Sequence, residues 1–207
     1  MARRKVTLTV NWPAVRNKIR RPNPKSERIA REKIVTKMTR THEELMKDFE
    51  THNVTVEIEG GVGASNASKT LSGYGDLFSF IGFKKGSDPI EKIRNYLLGS
   101  IRINKRAHAK SNNGYVFRAR GPSMKELEQM TPLPYEPSRS WVRGIERGIS
   151  GLGYYLQSAR RKLNSSRSGG GIQVKTNKLR GGSFKPVKYM SNLINRFYEK
   201  LRKKIKA

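Results

Sequence analysis

The sequence contains no cysteine and only three histidines among its 207 residues. Without cysteine the chain can form neither a disulfide nor a thiolate metal site, which fits a reducing compartment or a protein that needs no cross-links. The histidines, His42, His52 and His108, do not have the spacing of metal ligands. The sequence therefore predicts no metal centre and no bound cofactor.

Acidic residues are also scarce, and this imbalance dominates the composition. The chain has 16 Asp and Glu against 44 Lys and Arg, which gives a formal net charge of +28 at pH 7. Such a charge opposes compaction unless a polyanion offsets it. Nucleic acid is the expected partner, because basic side chains that neutralise its phosphates release counterions. A membrane surface is less favoured, since no stretch at the N-terminus combines a basic face with a bulky, strongly segregated apolar face.

Apolar residues make up only 35% of the chain, and no run of them approaches the length of a transmembrane helix. The short apolar segment near the N-terminus alternates with polar residues, so we expect no signal peptide. A modest core with basic extensions fits this composition better than a compact globule does. We predict a single domain over residues 1–207, with a basic strand or arm over 1–25 and a flexible Gly- and Ser-rich loop over 164–183.

The sequence also lacks recognisable signatures of catalysis. Residues 60–63 are glycine-rich, but the lysine of a P-loop is missing and no helix follows at once. Residues 144–153 are glycine-rich without a nucleotide-binding fingerprint, and no Ser-His-Asp arrangement stands out. The acids are too few to suggest an acid–base pair. We therefore expect no enzyme, and a DNA-processing enzyme with an unrecognised site is only the third hypothesis.

The most structured and least basic stretch lies at residues 54–99. Residues 54–58, VTVEI, alternate apolar and polar side chains, which predicts a short strand. A Gly-, Ser- and Asn-rich loop follows over 60–76. Residues 77–83, LFSFIGF, are the densest apolar run of the chain. This run must be buried, either in an ordinary core or against a partner.

A helix with a clear start follows the apolar run. Asp88 is a suitable N-cap, Pro89 suits the first helical position, and Glu91 is placed to interact with the positive end of the helix dipole. The helix is expected to end near Gly99. Its predicted apolar stripe consists of Ile90, Ile93 and Leu97.

Positive charge is concentrated outside the middle of the chain, because residues 43–91 hold nine acids and only four bases. This segregation favours a basic face toward a polyanion and a more neutral face toward protein. In the C-terminal half, residues 100–120 predict a β-hairpin with a turn signal at Asn113 and Gly114. One face of the hairpin carries Arg102, Arg106, Arg118 and Arg120. We weigh a phosphate-facing ribbon against an ordinary solvated face for these arginines.

Amphipathic elements are predicted in the N-terminal part of the chain as well. Residues 6–12 alternate and predict a strand. Ser26 is the predicted cap of a long helix that runs to about His52. The apolar stripe of this helix is thin and consists of Ile29, Ile34, Met38, Leu45 and Phe49. Such a helix would pack on one side only, within the monomer or across a subunit boundary.

Two helical segments and a connector follow the hairpin. Ser123 and Glu126 predict a short helix with a capping box. Residues 131–137, TPLPYEP, predict a stiff, polyproline-like connector. Over 140–163, apolar residues recur at helical spacing but glycines interrupt them. We therefore predict a helix for part of this segment.

The C-terminus combines a flexible segment with an amphipathic helix. A short strand at 172–175 is predicted within the Gly- and Ser-rich loop. Pro186 is expected near the first position of the last helix. The stripe of that helix consists of Met190, Ile194, Phe197, Leu201 and Ile205. The predicted fold is α+β: a small mixed sheet with a basic β-hairpin, a long N-terminal helix, an amphipathic C-terminal helix, and extended loops and arms.

Two parts of the sequence resemble virion proteins of tailed bacteriophages that complete the neck or the tail. The first is VTVEIEGG…ASNASKTLSGYGDLFSFIGFKKGSDPIEKIRNYL, residues 54–97. The second consists of SRSWVRGIERGISGLGYYL, SRSGGGIQVK and FKPVKYMSNLINRF, at residues 138–156, 166–175 and 184–197. Together these stretches cover a little under half of the chain, and none contains a catalytic signature.

The resemblance implies a structural protein whose copies form a ring at the head–tail connection or the tail end. Its implied partners are copies of itself, other neck or tail proteins and genomic DNA, without a membrane. The implied location is the virion, which is assembled in the host cytoplasm. On this view the hairpin arginines face the DNA. Subunit packing would fall to Phe78, Phe80, Ile81, Phe83 and Trp141.

The composition also fits a second class of protein. A basic, nucleic-acid-binding structural protein such as a ribosomal component would share the basic extensions, the small core and the lack of cysteine. The apolar run at 77–83 argues against this class, because RNA contact does not require it.

Overall fold

The computed structural model describes residues 24–71, 75–106, 116–148, 155–158, 171–174 and 185–203. Four predicted features lie wholly or mostly outside these residues: the strand at 6–12, the arm at 1–25, the hairpin turn at Asn113 and Gly114, and the loop at 164–183. Within the described residues, helices and short antiparallel strands occur together along the chain. This arrangement confirms the predicted α+β class.

The described residues form seven helices and six strands. The helices are α1 Pro24–Glu50, α2 Asn53–Glu59, α3 Leu77–Ile81, α4 Pro89–Gly99, α5 Met124–Met130, α6 Trp141–Arg147 and α7 Met190–Arg202. The strands pair as β1 Arg102–Arg106 with β2 Val116–Arg120, β3 Pro132–Leu133 with β4 Glu136–Ser140, and β5 Tyr155–Ser158 with β6 Gly171–Val174. All three pairs are antiparallel and separate from one another, where the sequence predicted one mixed sheet. In the described part of the chain, no helix is long and apolar enough to cross a membrane.

One core joins helices from both halves of the chain. Trp141, Tyr189, Phe49 and Phe197 are among its largest fully or nearly fully buried side chains. The second half of α1 packs along α7, and their polar edges are joined by Lys200 Nζ, which lies 2.6 Å from Glu44 Oε2. Each large apolar side chain contributes roughly 1.5–3 kcal/mol through burial. Residues far apart in the sequence therefore stabilise one another in this core.

The first half of α1 extends beyond this core. The helix begins at Pro24, so Ser26 lies inside the first turn and the predicted cap is wrong; proline suits the first helical position. Ile29 is 43% exposed and Val35 is 40% exposed, whereas the helix is deeply buried at Met38. The predicted stripe is thus confirmed for the second half of α1 and wrong at Ile29.

The predicted strand at 54–58 is helix α2. Val54 and Ile58 are four residues apart and fully buried on one helical face, whereas Val56 is 49% exposed. His52 caps the helix, since its Nδ1 accepts the Val54 N–H at 3.2 Å. Alternating apolar residues over such a short stretch fit either period, and here the helical period places Val54 and Ile58 in the core.

The capped helix predicted after the apolar run is confirmed as α4. Asp88 Oδ1 accepts the N–H groups of Ile90 and Glu91, each at 3.0 Å, and Pro89 occupies the first turn. The predicted stripe, Ile90, Ile93 and Leu97, is fully buried.

The predicted polyproline connector at 131–137 is instead the strand pair β3–β4. The chain turns at Pro134 and Tyr135, and Trp141 N–H then donates to the Thr131 carbonyl at 2.9 Å. This bond closes the hairpin at the start of α6. The prolines occupy the strand ends and the turn, where the absence of an N–H is tolerated.

Helix α6 covers only the beginning of the segment at 140–163. It ends at Gly148, whose φ of 97° is a conformation that side-chain-bearing residues rarely adopt. Leu156 lies in strand β5, so the helical spacing does not continue to that position. The predicted strand at 172–175 is confirmed with a shift of one residue, as β6.

The C-terminal helix α7 begins at Met190, later than Pro186 predicts. Glu146 on α6 supplies the missing cap, because its Oε1 accepts the Ser191 N–H at 2.6 Å. Val187 N–H donates to the Ile145 carbonyl at 3.1 Å and holds the preceding residues along α6. A long-range carboxylate therefore fixes where the helix starts.

Candidate nucleic-acid interface

Many of the few acids are engaged inside the body of the protein. Glu57 is buried and accepts the N–H groups of Ser68 at 2.9 Å and Leu77 at 3.0 Å. Asp76 is buried too; its Oδ1 caps α3 through Ser79 N–H at 2.6 Å and its Oδ2 accepts Gly63 N–H at 3.1 Å. These carboxylates hold the loop between α2 and α3.

Further acids form ion pairs between helices. Arg94 on α4 bonds to Glu50 at the end of α1, with Nε 2.7 Å from Oε1, and also to Glu59 at the end of α2. The Arg94 hydrogen bond lowers the pKa of Glu50. Lys200 in turn lowers the pKa of Glu44. Because each of these acids is paired with a cation beside it, they offset little of the positive charge elsewhere on the surface.

The basic hairpin is confirmed as β1–β2, and its register explains why the four arginines belong to one face. Arg102 pairs with Arg120, and Asn104 pairs with Arg118, two residues closer to the turn on each strand. Alternate residues share a face in a strand, so Arg102, Arg106, Arg118 and Arg120 occupy positions on the same face. The side chains of Arg102 and Arg120 are exposed.

A tyrosine joins helix α4 to the start of helix α5, the two helices that flank the hairpin in the chain. The Tyr96 hydroxyl accepts the Ser123 N–H at 2.8 Å and donates to Glu126 Oε2 at 2.7 Å. The predicted capping box is therefore wrong: the Ser123 side chain makes no capping hydrogen bond, and the Ser123 N–H donates to Tyr96 and not to Glu126. Burial raises the pKa of Tyr96 to about 12. Arg120 Nη2 lies 3.6 Å from the other oxygen of Glu126, which places the hairpin beside α5.

A second basic group, which the sequence reasoning missed, lies across α5 from the hairpin. A cleft of about 700 Å³ opens between α5, β4 and α6. Its basic lining residues are Lys125, Arg139, Arg143 and Arg147, and its one acidic lining residue is Glu128. The spacing of Arg143 and Arg147, one helical turn apart and outside the apolar positions of α6, was the available sequence signal.

The five residues predicted to pack subunits lie in the core of the chain itself. Phe83 contacts the edge of Trp141 with ring centroids 5.6 Å apart, and Phe78 lies 5.4 Å from Phe83. Phe80 and Ile81 are buried beside them. Their burial is explained within one chain, and a contact with neighbouring subunits stays a prediction.

The described residues contain no group of three or more His, Asp or Glu side chains that could hold a metal ion. What the described surface offers is cationic: an arginine face on the hairpin and a basic cleft beyond α5. Both are suited to phosphate groups, which arginine binds in a bidentate manner. No model of a protein family matches the chain, and neither a curated protein nor a solved structure matches it.

Proposed function

We propose that this protein is a structural subunit of a tailed-phage virion, present as a ring in the neck or tail, with its basic surface facing the DNA. It acts by contact and not by catalysis. Its partners are copies of itself, other neck or tail proteins and the genome.

The observation that carries the proposal is the separation of charge. The internal contacts of the body engage carboxylates such as Glu57, Glu50 and Asp76. The sequence has no acid at all over residues 1–26 or 147–198, and the second of these ranges holds eleven Lys and Arg. The exposed hairpin arginines add to this excess. A surface of this kind suits a polyanion, since neutralised phosphates release counterions.

The exposed half of α1 supports the assembly part of the proposal. Ile29 and Val35 lie on a helical arm that leaves the core, and Arg28 and Glu32 pair on the same arm only through an exposed contact at 3.6 Å. Exposed apolar side chains on a helical arm are typical of a surface that neighbouring chains complete.

A ribosomal-type protein is the second candidate, and one observation favours it. The apolar run at 77–83 argued against this class, but its large apolar side chains are buried in the protein's own core. That run therefore needs no protein partner. Both candidates predict binding to nucleic acid and differ in self-assembly.

The test of assembly is the mass of the purified protein in solution. Light scattering at low and high salt, with absorbance checked for nucleic acid, should give a ring-sized oligomer that survives high salt. A monomer that carries nucleic acid at low salt and releases it at high salt would favour the ribosomal-type candidate instead.

The test of the DNA-facing surface is replacement of Arg102, Arg106, Arg118 and Arg120 by glutamine. The variant should bind a DNA duplex more weakly, and the dependence of its affinity on salt should be shallower by a slope of roughly 3–4, since each lost phosphate contact removes about 0.9. An unchanged slope would overturn the assignment of these arginines.

A further inference from the structure

The cleft between α5, β4 and α6 places four basic side chains around one space. Arg143 and Arg147 come from α6, Arg139 from β4 and Lys125 from α5, and the cleft has a volume of about 700 Å³. Glu128 is the one acid among its lining residues. The lining is therefore strongly positive.

The fold forces the arginines of α6 into this cleft. Trp141, Val142 and Ile145 bury the opposite face of the helix in the core. Arg143 and Arg147, one turn apart, remain on the outer face. Two like charges at this spacing repel each other slightly, so a further anion placed between them would be favoured.

Two carboxylates pair with guanidinium groups here, and the four cations of the lining still exceed them by two. Arg143 Nη1 lies 3.5 Å from Glu128 Oε2, and Arg139 Nη1 lies 3.2 Å from Glu136 Oε2. A guanidinium has more N–H donors than one carboxylate accepts, so Arg143 keeps donors for a further anion beside its pair with Glu128. Holding the arginines in place also reduces the entropy lost when a ligand binds.

Hydrogen bonds hold the backbone at the wall of the cleft. Ser140 Oγ accepts the Arg143 N–H at 3.2 Å and lies 2.8 Å from the buried Thr131 Oγ1. Gly148 closes the helix at the far end of the lining. The backbone that carries Arg139 and Arg143 is thus held at a hydrogen-bonded turn.

We propose that this cleft binds phosphodiester groups of a nucleic-acid backbone, as a second contact beside the hairpin face. The proposal rests on the proposed function, because it assigns a further contact to the same DNA. Arg120 and Arg143 pair with Glu126 and Glu128, two residues apart on α5, so the two basic groups flank opposite sides of one short helix. A phosphate backbone that contacts both groups has to cross α5, whose diameter with side chains is about 10–12 Å.

The test uses the full-length chain and a fluorescent DNA duplex, with affinity measured by anisotropy over a series of salt concentrations. In Arg143→Gln with Arg147→Gln, the salt slope should fall by roughly 2 and the affinity at low salt by about tenfold. Lys125→Gln with Arg147→Gln keeps the Arg143–Glu128 pair and should give the same change, which separates binding from folding. The matched control is Lys84→Gln with Lys85→Gln, an equal loss of charge at an exposed turn outside the cleft.

Each outcome decides between the two proposals. A lower slope in both cleft variants and a near wild-type slope in the control supports the cleft. Equal losses in the control and the cleft variants would mean diffuse attraction and would overturn it. Wild-type slopes in the cleft variants, with a reduced slope in Arg102→Gln with Arg120→Gln, would overturn the cleft alone. A wild-type protein that does not bind the duplex would overturn both the cleft and the DNA-facing part of the proposed function.

Discussion

Tyr96 on α4 donates its hydroxyl hydrogen to Glu126 on α5 across 2.7 Å. The same oxygen accepts the Ser123 N–H at 2.8 Å, directly after the hairpin. One side chain thus satisfies the start of α5 and joins this helix to α4.

Replacing Tyr96 with phenylalanine should destabilise the protein by about 1–2 kcal/mol, because the half-buried Ser123 N–H loses its partner. Urea unfolding followed by circular dichroism measures this change. Glu126→Gln is the matched control, since an amide oxygen still accepts the hydroxyl, and it should cost less. Equal stability of Tyr96→Phe and the wild type would contradict the bridging role.

Arg94 is the joint of three helices and should matter more than an exposed ion pair. Arg94→Met leaves Glu50 and Glu59 close together without their cation, and we expect a loss of about 1 kcal/mol after allowance for solvent screening, because the side chain of Arg94 is 28% exposed. Arg28→Met breaks the ion pair between Arg28 and Glu32, whose two side chains are 74% and 66% exposed, respectively. This change should alter stability little. Similar unfolding midpoints for the two variants would refute this ranking.

Elements with local signals were predictable from the sequence. Helix α4 has its cap, its proline and its apolar stripe within twelve residues, Asp88 to Gly99, and all of them lie where the sequence places them. The register of the hairpin likewise follows from alternation on both strands. In these cases local preference and the final fold agree.

Elements decided by distant partners were not predictable. VTVEI fits a strand or a helix, and the helix is supported by Glu57, whose partners are Ser68 and Leu77. The start of α7 depends on Glu146, 45 residues before Ser191. The basic cleft is formed when α5 brings Lys125 beside α6, and only the spacing of Arg143 and Arg147 was visible beforehand.

Loss of the Glu57 carboxylate should destabilise the protein more than loss of an exposed acid such as Glu91. Glu57→Ala leaves two backbone N–H groups without their acceptor, one of them fully buried, and should destabilise the protein by roughly 3 kcal/mol. Glu91→Ala, at the exposed first turn of α4, should cost less than about 1 kcal/mol. Thermal and urea unfolding of the two variants test the difference. A loss for Glu57→Ala no larger than for Glu91→Ala would show that the loop does not depend on this carboxylate.

His52 should make stability depend on pH in the mildly acidic range. Its ring is partly buried, 4.7 Å from the ring of Tyr189, and burial lowers its pKa below the ordinary value of 6.5. The neutral ring caps α2 by accepting the Val54 N–H. As the pH falls below 6.5, the unfolded chain binds a proton at this position before the folded chain does. The free energy of unfolding should therefore decrease until the pKa of the folded state is passed, and the slope that this residue contributes should disappear roughly one pH unit above 6.5.

The variant His52→Asn isolates this effect, because asparagine also caps helices but does not titrate. Unfolding free energies of both proteins, measured in urea at a series of pH values on either side of 6.5, should converge as the pH is lowered or cross, with the wild type showing the steeper decrease. His42 is present in both proteins, so its contribution cancels in the difference. Parallel curves would mean that the proton affinity of His52 is the same in the folded and unfolded chain. A charged imidazole ring carries a hydrogen on both nitrogens, so it cannot accept the Val54 N–H. Parallel curves would therefore contradict the cap that His52 forms in the structure.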